Sequence, residues 1–406
     1  MATVLLTWEL GDGATHLAGL HGLTRRLVDD GHRVVAAVRD LGAAAHVFRG
    51  IDVGVVQAPR RPRSMGPRIA PVRTFAHVLY NNGFSSFDEL WVKTSAWRNL
   101  YEYIQPDVLL LVHSPTALLA AWGYPARRVL LGTGYFCPPD TRPLPDMLRG
   151  DRRTSEQNLR DEEQVLRNVN MAMECCDQEP LPSLSGLYHR QVDDNFLLTF
   201  EELDHYAHRD VACYCGPAPN ECRAAPFWPD GEGKRVFAHL KPFSALPDLL
   251  RCLRDLQCPT LICGDGLAPC LKQQFRSPTL RFADEPLDID TVAGECELAV
   301  LHGDHQTTAS MLLAGKPVLQ LPVSLEHRLL GEAVARLDAG IAVPVGHGGP
   351  TTAEPDVAKA LHSLLASGRY ANAARRFSHR YASYNADEVT SRMADSIGEL
   401  LKAGVP

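Results

Sequence analysis

The chain has 406 residues, with 45% hydrophobic and 22% charged side chains and a formal net charge of −7. That length and composition supply core for about two folded domains and exclude a disordered or fibrous chain. The acidic balance excludes an extended nucleic-acid surface, which would be basic, and no apolar run is long enough to span a bilayer.

In chain order, a strand is predicted at Val4–Trp8, with no basic segment before it. That start predicts no signal peptide and a cytoplasmic protein. Apolar residues at helical spacing (Leu17, Leu20, Leu23, Leu27, Val28) predict one helix over His16–Asp29, closed by Gly31. Strands follow at Arg33–Val38, Val53–Gln57, Val108–Val112, Val129–Leu131 and Phe196–Phe200. Between the third and fourth, Arg60 to Arg73 carries five arginines among prolines and reads as a solvated loop, or as a docking loop for an anionic acceptor or a membrane surface. The Pro- and Gly-rich stretch 216–234 marks a linker between a first domain, 1–215, and a second, 235–384. The second alternating series has strands at Arg235–His239, Thr260–Cys263, Leu280–Phe282, Leu298–Leu301 and Val318–Leu321. An amphipathic tail over 385–406 is expected to pack back on the first domain. Strand and helix alternation in both halves predicts an α/β protein with parallel sheets, and ligands of such sheets sit outside the carboxyl ends of the strands. The eleven cysteines are odd in number and scattered, which predicts reduced thiols. Cys213 and Cys215 with Cys222 lack the second ligand pair that a metal knuckle needs, and no metal is expected.

Chemistry concentrates in HGDHQTTASMLLAGKPVLQLPVSLEH, residues 302–327. A buried strand ends at His302-Gly303, and Thr307 and Thr308 begin a helix. Free amide groups and the helix dipole attract phosphate oxygens at such a start, and threonine hydroxyls add donors. Glu326 and His327 open a further helix after the next strand. In the first half, His16 follows the turn Gly11-Asp12-Gly13, where an imidazole is suited to take a proton near neutral pH.

The stretch resembles the donor-binding signature of the family-one glycosyltransferases, H-G-G-x-G-T-T…L-x-A-G-x-P…P…[DE]-Q. His302, Gly303, Thr307, Thr308, Leu313, Ala314, Gly315, Pro317, Pro322 and Glu326 stand in register, and LDAG at 337–340 is similar to the L-G-A-G that follows. The N-terminal segment through Asp40 resembles the family's start. The resemblance implies a GT-B fold, two Rossmann-like domains facing across a cleft. It also implies inverting, metal-independent transfer of a sugar from a UDP or dTDP donor to an acceptor, with no resident cofactor. It implies that His302, Gly303, Asp304, Gln306, Thr307, Thr308, Glu326 and His327 meet the donor, with Lys241 near the diphosphate. His16 becomes the general base, and Gly13, His113 and Ser114 fall on the acceptor side.

Three departures from the pattern bear on the chemistry. Asp304 and Gln306 replace glycines of the phosphate turn, and Asp304 places a negative charge where an anion is expected. His327 replaces the usual glutamine. The carboxylate that commonly orients the base is missing from the end of Val108–Val112, which leaves Glu9 or Asp12 to orient His16. A catalytically degenerate homologue that binds a ligand or partner, and a nucleotide-sugar epimerase, are two further readings of the same fold.

Overall fold

The computed structural model describes residues 1–406 other than 12–14, 61–66, 149–152, 207, 208, 211, 220–223, 265, 346–353 and 405–406. The chain forms two compact units, Met1–Pro219 with Ala386–Pro406, and Asn220–Asn385.

In the first unit the strands are β1 (Thr3–Trp8), β2 (Arg33–Val38), β3 (Val53–Gln57), β4 (Val108–Val112), β5 (Arg127–Gly132) and β6 (Asp194–Leu197). All pair in parallel, in the order β3-β2-β1-β4-β5-β6. The second unit holds β7 (Val236–His239), β8 (Thr260–Cys263), β9 (Leu280–Phe282), β10 (Leu298–Leu301), β11 (Val318–Gln320) and β12 (Gly340–Ala342), in the order β12-β11-β10-β7-β8-β9. Counted from its own first strand, each sheet has the 3-2-1-4-5-6 order of a Rossmann fold, so the expected pair of α/β units is present.

The strands β4 and β10 are apolar throughout because helices cover both faces of each sheet. Every residue of β4 and of β10 is buried. The predicted helix over His16–Asp29 is two helices, Thr15–Ala18 and His21–Asp29, interrupted by a turn in which the Leu20 amide donates to the Leu17 carbonyl. Gly19 and Gly22 flank the break and weaken helix propagation there. The strand expected at Phe196–Phe200 begins and ends earlier, because pairing with β5 ends at Leu197 and Glu201–Leu203 turns into a 3₁₀ helix.

The C-terminal helix Ala386–Lys402 belongs to the first unit. It buries Val389, Met393 and Ile397, packs on His21–Asp29, and donates from Ser396 Oγ to Asp194 at 2.6 Å. Arg73 of the arginine-rich stretch pairs with Asp146 at 2.7 Å, while Arg61 and Arg63 lie outside the described residues, as does Cys222. No helix among the described residues is long and apolar enough to cross a membrane.

Candidate functional site

In each sheet the strand order reverses between the two central strands, β1 and β4 in one unit and β7 and β10 in the other. Helices leave such strands in opposite directions and open a crevice at their carboxyl ends. The residues that carry chemistry lie at these two places.

In the first unit, β1 leads to Glu9, Gly11 and His16, and β4 leads to His113 and Ser114. Gly11 has φ +94°, and a Cβ there would lie 2.6 Å from His16 Nε2. Only glycine lets the imidazole lie against that backbone. The His16 ring meets His113 edge-on at 4.3 Å between centroids, and His113 stacks on Phe136 at 3.6 Å. His113 has φ +47°, and its carbonyl accepts from the Leu10 amide, which ties the two strand ends together. Burial, and then the neighbouring His16, push the His113 pKa well below its ordinary value, so it is neutral.

These contacts correct one expectation and place two further residues. Glu9 does not orient His16. Its Oε1 accepts from the Ala117 amide at 2.6 Å and its Oε2 lies 3.3 Å from Lys93 Nζ, so it starts the helix Pro115–Ala120 and neutralises a buried lysine. Ser114 donates inward to the Val112 carbonyl at 2.9 Å. His113 packs edge-on against His16, and with Ser114, Phe136 and Tyr188 it lines a cavity of about 10 Å³. Asp12 and Gly13 lie outside the described residues.

In the second unit, β10 ends at Leu301, which pairs with His239 at the end of β7. The chain turns through His302, Gly303 and Asp304 into the helix His305–Leu313. Gly303 has φ +103°, and a Cβ there would fall 2.6 Å from His327 Cβ, so the turn lies against the helix Leu325–Arg336. His327 stands edge-on to His302 at 5.2 Å, its amide held by Ser324 Oγ. Glu326, beside it, is half-buried, as are Gln306 and Lys241.

The turn differs in detail from the expected phosphate cradle. Asp304 faces inward, with its side chain 4% exposed. Its Oδ1 accepts from the Thr307 amide at 2.8 Å, a helix N-cap worth about 1 kcal/mol. Its Oδ2 lies 3.1 Å from His239 Nδ1. Burial alone would raise the Asp304 pKa, but His239, His302 and the Thr307 amide outweigh it and hold the carboxyl well below the usual range. The threonine hydroxyls also face inward. Thr308 Oγ1 donates to the Asp304 carbonyl and accepts from Gln320, and Thr307 Oγ1 lies 3.2 Å from His239 Nδ1.

His302 Nδ1 donates to the His239 carbonyl at 3.0 Å, which leaves the lone pair on a buried Nε2 that makes no hydrogen bond among the described residues. Burial pushes the His302 pKa down to about 4. Asp304 pulls upward, while His239 and Lys241 add to the fall. His302 and His113 thus fold neutral, whereas the unfolded chain protonates them near pH 6.5. Their contribution to stability is fully present above pH 6.5 and is lost as pH falls towards 4, where the unfolded state binds more protons. For His302 the loss approaches ~3 kcal/mol. Denaturant unfolding followed from pH 7.5 to 4.5 should show this decline, and the slope should be shallower in His302→Asn. Equal slopes would mean that the buried imidazole does not contribute.

Sequence reasoning missed His239, Phe136 and Lys93. His239 was the most accessible of these: it closes the first strand of the second series, where a switch-point ligand belongs, yet only Lys241, two residues on, drew attention. Among the described residues, His239, His302 and Asp304 also bring three possible ligand atoms within 4.8 Å of one another.

No protein-family model matches the chain, and no curated protein matches it by sequence. Solved structures do match its fold from end to end. CalG4, the calicheamicin glycosyltransferase, superposes with a TM-score of 0.71 at 16% identity over 100% of both chains. The glycotransferase of kitacinnamycin gives 0.68 at 18% over 100% of this chain and 99% of that one. The spinosyn rhamnosyltransferase SpnG gives 0.65 at 18% over 99% and 100%, and has also been solved complexed with thymidine diphosphate. At such identities the likeness is one of fold, and the chain has the GT-B fold of these bacterial glycosyltransferases.

Proposed function

We propose that this protein transfers a sugar from a nucleoside diphosphate sugar, UDP- or dTDP-linked, to an acceptor nucleophile, with inversion and without a metal or resident cofactor. The observation that carries the reading is the repeated placement of chemistry at the switch points. One Rossmann sheet ends in an imidazole, His16, raised by Gly11 and backed by His113. The other ends in the imidazole-lined turn 302–308 at a helix start. The thymidine diphosphate held by solved proteins of the same fold supports the choice of donor.

In this mechanism the acceptor oxygen attacks the anomeric carbon as the bond from that carbon to the diphosphate oxygen breaks. The acceptor's proton passes to His16, and the electron pair leaves with the diphosphate. Positioning and electrostatic stabilisation of the leaving group supply most of the rate. Glu326 accepts hydrogen bonds from sugar hydroxyls, for which a carboxylate offers several sites.

A second reading is a binding protein that has lost turnover. It is favoured by one observation, the Asp304 carboxylate sitting on the Thr307 amide that a phosphate would otherwise use. Calorimetric titration with dTDP and UDP, followed by an assay for slow donor hydrolysis, separates the two. The transferase should bind at least one nucleotide and release its sugar slowly to water. Binding without hydrolysis or transfer to any acceptor would favour the second reading, and absence of all nucleotide binding would sink the first.

A further inference from the structure

Asp304 poses an electrostatic problem at a site read as a diphosphate cradle. Its carboxylate is ionised and buried, Oδ1 accepts from the Thr307 amide, and the field it casts on the turn opposes an anion. The nearest group able to answer that charge is His239 Nδ1, 3.1 Å from Oδ2 and 3.2 Å from Thr307 Oγ1. With Nδ1 turned to these oxygens, the other edge of the ring points away from them. The His239 side chain is 18% exposed against 4% for Asp304, so the imidazole is the more accessible of the two groups.

We propose that His239, oriented by Asp304, is the group that meets the donor's diphosphate, donating from Nε2 to a phosphate oxygen while Nδ1–H faces the carboxylate. This deepens the transferase reading and rests on it. The pair replaces what the altered turn lacks: instead of glycine amides approaching the phosphate, an imidazolium does, and the carboxylate behind it becomes its counter-ion. A carboxylate that holds an imidazole in one orientation by facing its Nδ1–H is general chemistry. Three other groups lie near His239. His302, just past β10 and edge-on at 4.8 Å, is neutral; Cys263 pairs with His239 from β8; Lys241 lies two residues beyond the end of β7 and adds positive charge. Asp304 touches the ligand only through His239 and is a positioning residue; His239 is the contact.

The test is a double-mutant cycle on dTDP and UDP binding, read by calorimetry in chelator-treated buffer. His239→Gln should weaken binding about tenfold to a hundredfold, the worth of one charge-assisted hydrogen bond. Asn keeps the helix cap, so Asp304→Asn isolates the charge. It should weaken binding when His239 is present, but tighten it in the His239→Gln background, where the carboxylate only repels. ¹⁵N-histidine NMR of the wild-type complex should show one ring with both nitrogens protonated, absent from the complex of His239→Gln. Tightening by Asp304→Asn in both backgrounds would overturn the proposal. So would binding that fails in chelator and returns with zinc, because His239, His302 and Asp304 would then be holding an ion. Failure of the unmodified protein to bind either nucleotide would bring down the donor reading and this proposal with it. Binding without the reversal of sign would bring down the His239–Asp304 pair alone.

Discussion

Replacing His16 by alanine is expected to reduce sugar transfer about 10²- to 10⁴-fold, the range in which a general base contributes, while the dissociation constant for dTDP or UDP stays unchanged. The two effects separate because His16 and the donor turn belong to different compact units. The local scaffold tolerates the change. Gly11 still adopts its positive φ, and His113 keeps its stack on Phe136, so the variant should fold. The pH profile adds a second readout: the loss of transfer at acid pH that protonation of the base imposes should vanish in whatever activity remains. Equal loss of transfer and nucleotide binding would show that His16 supports the structure instead of accepting a proton.

The second large effect is on stability. Lys93→Ala should destabilise the first unit by about 3–5 kcal/mol, because the Glu9 carboxylate would be left buried without its cation. Glu9 is 3% and Lys93 7% exposed at the side chain, and Lys93 Nζ also donates to Thr116 Oγ1 at 2.9 Å. Removing the lysine therefore strips both an ion-pair partner and a hydrogen-bond donor from a closed interior. The double variant Glu9→Gln/Lys93→Met should recover most of the loss, since Gln still accepts from the Ala117 amide and Met fills the lysine stem's volume. Denaturant unfolding read through Trp8 and Trp97, both in this unit, measures each variant. A loss below about 1 kcal/mol for Lys93→Ala would place the pair among weakly coupled surface-like bridges.

Much of the fold could be read from the sequence because parallel strands covered on both faces are short apolar runs: VLLLV at Val108–Val112 and LAVL at Leu298–Leu301 needed no context. The long helix Phe87–Ile104 was harder. Its buried face runs Leu90, Lys93, Thr94, Trp97, Tyr101, Ile104, and a lysine in the stripe breaks the apolar pattern unless its partner Glu9 is known. The candidate site divides in the same way. The positions of His16, His302 and Gly303 follow from motif spacing. The direction of the Asp304 side chain does not, because it is set by His239 on another strand and by the free amide of Thr307. Glu9 was misassigned for the same reason: proximity in sequence suggested His16, while the Ala117 amide and Lys93 claim both of its oxygens in space.

The order in which the units appear along the chain constrains how the protein is made. The first unit begins at Met1 but includes Ala386–Pro406, with Asn220–Asn385 translated in between. At ~5–20 residues per second, a ribosome needs roughly ten to thirty seconds to cross that interval. Throughout it, the groove that later receives Val389, Met393 and Ile397 faces water without its helix. The second unit can close during synthesis, and the first can be completed only after the helix Ala386–Lys402 has left the exit tunnel.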